Sequence, residues 1–271
     1  PVGRLAMLNA PVDQLILPPD TPQALPIELS SFRFAGSHGQ LHPDGASRAS
    51  RFRKGLGVEW VYDLPVARAT RSLHLHRDGG VVGATLRYLV ERTDAASHNA
   101  AAKAPLRLSV RPLVSMRDFH GMLRRSWADR FAVHPHADGH TCRVERDGLT
   151  LHLRSDRGAF RHDQQWWFDF LYSEDAARGQ DCVEDLYSPG VFTLDLAPGQ
   201  TRAELLLRAS LAELSPPTLD EIQREREARV DRLAQAGALI RSHASAITPD
   251  ELPALDALTA AADDFVVART P

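Results

Sequence analysis

Leu106, Leu108 and Val110 alternate with Arg107, Ser109 and Arg111, and Leu149, Leu151 and Leu153 alternate with Thr150, His152 and Arg154. A period of two sends successive side chains to opposite faces of a strand, so each segment has one apolar and one polar face. Short turn sequences punctuate these segments. Arg146-Asp147-Gly148 precedes the 149 strand, Asp78-Gly79-Gly80 separates 72–76 from 81–90, and Ala197-Pro198-Gly199 separates 191–196 from 203–211. Their glycines accept the positive φ that tight hairpins require. Residues 31–34 and 58–62 are further strand candidates. Strands this closely spaced predict antiparallel sheets packed face to face rather than βαβ units.

The pattern changes after Pro216-Pro217. Thr218-Leu219-Asp220-Glu221 is a capping box, in which hydroxyl and carboxylate each satisfy a free backbone N–H. It predicts a charged helix to about Ala236, with Gly237 as a left-handed stop, supported by i,i+4 pairs Asp220–Arg224 and Glu225–Arg229. Thr248-Pro249-Asp250-Glu251 repeats the signature, and Leu255, Leu258, Ala262 and Phe265 follow as a helical apolar stripe. The expected division is a β domain over 1–215 and a helical linker over 216–271.

With 271 residues, 43% of them hydrophobic, and a net charge of -3, the chain can build a sizeable core and has no electrostatic drive toward nucleic acid. No apolar run reaches the ~20 residues that cross a bilayer, so no membrane partner is expected. Cys142 and Cys182 are too few for a disulfide framework, which favours a reducing, cytoplasmic setting. No phosphate-cradling glycine loop, nucleophile elbow or dinucleotide fingerprint occurs, and no cofactor is expected. The first residue is Pro1 rather than methionine, which is read as the mark of an excised fragment.

The richest stretch chemically is 166–192. Trp166 and Trp167 lead an aromatic run, then come Glu174, Asp175, Arg178, Asp181, Glu184 and Asp185, then Tyr187 and a turn at Ser188-Pro189-Gly190. Sugars bind through C–H faces on aromatic rings and through hydroxyls on carboxylates, so Trp166, Trp167, Glu174, Arg178, Asp181, Glu184, Asp185 and Tyr187 are the candidate substrate-binding or domain-interface residues. The two tryptophans point to opposite faces if they lie on a strand. Glycoside hydrolysis needs two carboxyl groups about 5–10 Å apart, and this stretch offers them by type. The competing expectation is a brace at a domain interface, in which Arg178 pairs with the carboxylates. Trp60 and Trp127 are expected in the core or between sheets. His134, His136, His140 and Cys142 form the one metal-like constellation, but Pro135 interrupts it and no metal is expected. His120, His152 and Glu184 are the residue types that sugar epimerisation would use as acid and base.

Several segments, in order, resemble the N-terminal domain of glycogen debranching enzymes of the archaeal and bacterial type. Arg178-Gly179-Gln180-Asp181 with Glu184-Asp185-Leu186-Tyr187-Ser188-Pro189-Gly190 resembles that family's RGLD…EDLYSPG signature. Arg111-Pro112-Leu113-Val114 with Arg117-Asp118-Phe119-His120 resembles its RPLV…RDFH segment. His42-Pro43-Asp44-Gly45 and Trp60-Val61-Tyr62 match its HPxG and WxY positions, and 261–267 its linker helix. The resemblance implies a β super-sandwich like that of galactose mutarotase, followed by linker helices and then an (α/α)6 barrel, not in this chain, that hydrolyses α-1,6-glucosidic branch points of glycogen. It implies that this chain is not itself catalytic and that its partners are that barrel and a branched α-glucan. The family's glycine-rich opening has no match before Pro18, so early strands are expected to be missing and sheet edges left open. The alternatives are a free-standing carbohydrate-binding module and a mutarotase-type epimerase.

Overall fold

The apolar halves of the alternating segments meet in one interior between two antiparallel sheets. The computed structural model describes residues 4–78, 81–93, 104–243 and 248–263. One sheet has five strands in the order β13 (Ala159–Leu171), β14 (Val183–Leu196), β9 (Leu106–Asp118), β1 (Leu5–Leu17) and β2 (Leu25–Glu28). The other has eight, in the order β10 (Ala132–Pro135), β11 (Thr141–Arg146), β12 (Leu149–Ser155), β15 (Arg202–Ser210), β8 (Val81–Arg92), β7 (Ala67–Asp78), β6 (Val58–Asp63) and β5 (Ala49–Lys54). A short pair, β3 (Phe32–Arg33) and β4 (Leu41–His42), lies beside them. Leu15, Leu108, Val110 and Phe192 from the first sheet pack against Tyr88, Leu153, Leu205 and Leu207 from the second. The fold is therefore the mainly β, antiparallel sandwich that the alternation predicts, followed by helices.

The predicted turns fall where the strands reverse. Asp147 and Gly148 take φ of 49° and 78° between β11 and β12, and Gly199 takes 84° between β14 and β15. Strands β7 and β8 pair from Ala67↔Arg92 to Asp78↔Val81, while Gly79 and Gly80 lie outside the described residues. The first strand is a surprise, because residues before Pro18 carry no clear period of two. Strand β1 nevertheless lies inside the five-stranded sheet, between β9 and β2. Register shifts at Ala6/Leu8 and Leu8/Ala10 break its alternation, and Pro11 cannot donate to the ladder. The outer strands of the sheets are β13 and β2, and β10 and β5. Proline occupies β2 (Pro26) and β10 (Pro135), and β5 carries Arg51, Arg53 and Lys54.

Two helical expectations are corrected. Helix α1 (Ser173–Ala177) is a single short turn, but helix α2 (Leu219–His243) runs through Gly237 instead of stopping there. A glycine ends a helix only where φ turns positive. Here Gly237 stays helical, and the guanidinium of Arg241 lies over it, reaching Asp256 at 3.0 Å. The capping box itself forms: Thr218 Oγ1 accepts from the Glu221 N–H at 3.2 Å, and Glu221 accepts from the Thr218 N–H at 2.9 Å. Helix α3 (Leu252–Asp263) does not bury the predicted stripe, since Leu258 is 67% exposed. Its inner line is Leu252, Leu255, Thr259 and Asp263, and Asp263 pairs with Arg229 of α2 at 3.1 Å. An antiparallel helix pair selects this line through its ion pairs, which a count of apolar residues misses. Phe265 lies outside the described residues.

One ion pair crosses the interior. Asp13 of β1 is 0% exposed, and both its carboxylate oxygens accept from Arg71 Nη1 of β7, at 2.9 and 3.1 Å. Arg71 also lies 4.3 Å over the Trp60 ring and 5.9 Å from that of Tyr62. Burial pushes the Tyr62 phenol up to about 12, and its hydroxyl donates to the Leu29 carbonyl at 2.8 Å. Removing one member of a buried pair strands the other charge. Arg71→Met is expected to lower unfolding free energy by about 3–5 kcal/mol, read by chemical denaturation, and the double variant Asp13→Leu/Arg71→Met to recover most of that loss.

Candidate functional site

The Ser188-Pro189-Gly190 segment, expected as a turn, is not one. It is the middle of β14, which continues unbroken to Leu196. Tyr187 faces Val114 of β9 and Phe192 faces Val110, so β14 holds one more residue than β9 over this span. That bulge re-aims the alternation. Before it, Glu184, Leu186 and Ser188 point to the outer face of the sheet; after it, Val191 and Thr193 do, while Tyr187 and Phe192 both stay in the core. Gly190 is required here by close approach. A Cβ at this position would lie 2.3 Å from the Arg161 carbonyl oxygen and 2.7 Å from the Phe160 ring.

Glu184 is 0% exposed and saturated with donors. Arg117 donates to both of its oxygens, the Leu123 N–H donates at 3.1 Å, the Tyr172 hydroxyl at 2.7 Å and the Asn9 amide at 3.3 Å. Burial, and then the Glu184 charge, push the Tyr172 phenol well above its ordinary value. Burial alone would lower the Arg117 guanidinium, but Glu184 raises it. Its neighbour Asp185 accepts from the backbone N–H groups of Arg125 at 2.9 Å and Asp169 at 3.0 Å, and pairs with Arg124 at 3.3 Å. The two motif segments, 111–120 and 184–190, are thus joined through β9–β14 pairing and through the Arg117–Glu184 contact.

The other predicted residues separate. Glu174, Arg178 and Asp181 are exposed on α1 and the turn after it. Gly179 reverses the chain there with φ 70°, and among the described residues none of these three side chains makes an ion pair or hydrogen bond. Arg178 therefore does not brace the carboxylates; Arg117 and Arg124 hold that place. Trp166 packs inward against Phe131 and Tyr187, at ring separations of 5.6 and 5.5 Å. Trp167 faces outward beside Phe170, Phe32 and Phe34. Trp127, expected in the core, is 89% exposed. Cys142 faces the core, while His134 and His136 are exposed and pair with Glu145 and Asp138 at 3.3 Å each. Among the described residues no group of three or more His, Cys, Asp or Glu is placed to hold a metal ion. His152 lies on the outer face of the eight-stranded sheet and Glu184 on the outer face of the other, so they share no site.

A groove of about 840 Å³ runs over the outer face of the five-stranded sheet. Its floor is the polar half of the alternation: Gln14, Arg107, Ser109, Arg111, Arg161 and Thr193. Trp167 stands at its β13 side, and Glu28 with the His42-Pro43-Asp44 segment at its β2 side. Gly45 seats that segment, because its N–H donates to the Ser30 carbonyl at 3.1 Å and a Cβ would meet the Leu29–Ser30 backbone at 2.4–2.6 Å. Arg111 is fixed by Asp163 at 2.5 Å and by the Ser188 hydroxyl at 3.2 Å, and it holds the Asp163 carboxyl below the usual range. Arg107 is fixed by Asp195 and Asp20, at 2.6 and 2.7 Å. Burial, and then the Asp13 charge, raise the Glu28 carboxyl above the usual range. The sequence marks these floor residues as the polar side of strands; that they line a groove depends on the 41–44 segment folding beside the sheet.

The fold and this face define a β-sandwich module with a helical hairpin appended. The chain belongs to the glycogen debranching enzyme N-terminal family, whose description is "Glycogen debranching enzyme N terminal" and whose model matches residues 2–203. A bacterial glucoamylase complexed with acarbose is similar at 9% identity over 77% of this chain and 28% of that one, with a TM-score of 0.39. A polysaccharide lyase is similar at 10% identity over 77% and 26%, with a TM-score of 0.34. The chain spans between 26% and 28% of the length of these two structures. No curated protein matches it. Among the described residues no helix is long and apolar enough to cross a membrane.

Arg117→Ala is expected to destabilise the protein by about 3–5 kcal/mol, because Glu184 would remain charged and buried. Arg178→Ala is expected to stay within ~0.5 kcal/mol of the parent, as surface substitutions do. Thermal and denaturant unfolding of the pair, measured side by side, checks both values.

Proposed function

We propose that this chain is the non-catalytic N-terminal β-domain and helical linker of a glycogen debranching enzyme, supporting a catalytic barrel of the same polypeptide and contributing to the holding of branched α-glucan. The observation that carries this reading is the saturation of Glu184. It is the carboxylate at the head of the EDLYSPG segment, and its oxygens are occupied by Arg117, Tyr172, Asn9 and a backbone N–H. A general acid or nucleophile has to reach the glycosidic bond, and a group with no exposure and no free lone pair cannot. Asp185 is likewise spent on backbone N–H groups. These carboxylates act as mortar between the loop after β9 and the sheet.

The helices support the other half of the reading. Leu239, Ile240 and Leu258 are exposed apolar residues on α2 and α3, where a following domain would make contact. The family match supports glycogen as the parent enzyme's substrate, and a cytoplasmic setting fits the two free cysteines.

The isolated chain, incubated with a branched α-glucan, is expected to release no glucose above the buffer rate. Turnover that persists through repurification and is lost in Glu184→Gln would overturn the non-catalytic assignment. Polarimetry on freshly dissolved sugar tests the epimerase alternative, and no acceleration of anomer interconversion is expected.

A further inference from the structure

The groove on the outer face of the five-stranded sheet has features that support of a neighbouring domain does not require. It draws lining residues from all five strands. At ~4.8 Å between strands that is roughly 19 Å across, longer than one sugar ring. Its volume lies within the range of ligand-binding clefts. The lining is balanced in charge: Arg107, Arg111 and Arg161 stand against Asp20, Glu28 and Asp44. All three arginines are already paired, Arg111 and Arg161 with Asp163 and Arg107 with Asp195 and Asp20. Little positive charge remains to attract an anion, and the carboxylates on the β2 side would repel one. The groove still presents a dense mixture of donors and acceptors, namely the Gln14 amide, the Ser109 and Thr193 hydroxyls, the Arg161 guanidinium, 67% exposed and held by Asp163 through one nitrogen, and the carboxyl groups of Glu28 and of Asp44, the latter paired with Arg48 at 3.1 Å. Among the described residues, Glu28 Oε2 is buried with no hydrogen-bond partner. Buried polar atoms are ordinarily paired, so an occupant that brings a bridging hydroxyl or water would complete this one.

A ligand matched to such a surface carries donors and acceptors together, has no net charge, and presents an apolar C–H face to an aromatic ring at one end. We infer that this groove is a binding site for a neutral oligosaccharide, with Trp167 as the stacking surface and Arg161, Gln14 and Glu28 as the hydrogen-bonding groups. The choice of an α-linked glucan as that oligosaccharide rests on the proposed function; the class of ligand rests on the groove alone.

The test is calorimetric titration of the full 271-residue chain with maltoheptaose, with cellohexaose as a neutral β-linked control, and with a sulfated oligosaccharide as an anionic one. Saturable binding of maltoheptaose with a Kd below about 1 mM is expected. Arg161→Ala, Gln14→Ala and Glu28→Ala are each expected to weaken it roughly threefold or more, in line with loss of one hydrogen bond. Trp167→Phe, which keeps the packing against Phe170, is expected to weaken it further than a conservative core change would, whereas Trp127→Ala, away from the groove, is expected to leave it unchanged. Absence of binding by any neutral oligosaccharide overturns the inference, as does preference for the sulfated ligand. Binding lost in Trp127→Ala but kept in Arg161→Ala also overturns it. Binding of cellohexaose in preference to maltoheptaose upholds the groove and overturns the glycogen reading.

Discussion

One extra residue in β14 governs much of this molecule. A strand keeps its core face only if its register is kept, since a slip by one residue exchanges the two faces. Between Tyr187 and Phe192 the bulge performs that exchange on purpose. Both aromatic rings remain inside, Tyr187 stacked 4.2 Å from Phe131 and Phe192 4.9 Å from Phe160. On the outer face the same residue count delivers Glu184 to Arg117 below the bulge and Val191 and Thr193 to the groove above it. Gly190 is the only residue type that fits against the β13 backbone at this point, and Ser188 turns its hydroxyl back to the Gly190 carbonyl at 3.1 Å. The Ser-Pro-Gly segment is thus a device for changing parity within a continuous strand.

Charge is used in two distinct ways. Asp13–Arg71 lies between the sheets, where alternatives to pairing are very costly, and it fixes how β1 and β7 sit over one another. Glu184 and Asp185 lie at the start of β14 and are divided between strand partners, Arg117, Asn9 and the Asp169 N–H, the Tyr172 hydroxyl, and the Leu123 and Arg125 N–H groups and Arg124 of a loop that has no regular structure of its own. A loop rich in exposed side chains such as Arg124, Arg125 and Trp127 is thereby anchored by Leu123 and by carboxylates rising from the sheet. The groove arginines follow the same logic, each held by a carboxylate before any ligand arrives, which lowers the ordering cost of binding.

Much of the fold was legible because period two and turn chemistry are local. The Asp147-Gly148 hairpin, the break at Ala197-Pro198-Gly199 and the Thr218–Glu221 capping box all lie where nearest-neighbour rules place them. Residues whose role depends on distant partners were read less well. Strand β1 was invisible because Pro11 and two register shifts scramble its alternation. Ser188-Pro189-Gly190 has the composition of a turn, and only pairing on both sides turns it into a bulge. Arg178 is the cation nearest in sequence to the acidic run, yet Arg117, 67 residues from Glu184, is the one that pairs with it. The candidate residues Trp166, Trp167, Glu174, Arg178, Asp181, Glu184, Asp185 and Tyr187 share a sequence stretch but fall on two faces of a sheet and an exposed turn. Of these, only Trp167 lines the groove.

The outermost strands carry a consequence for how the module meets its surroundings. Pro26 withholds a donor on one flank, Pro135 does so on another, and three cations line β5. Flanks of this kind refuse an incoming chain that would lengthen a sheet by backbone pairing. On those three flanks the module presents side chains rather than open backbone to whatever lies beside it.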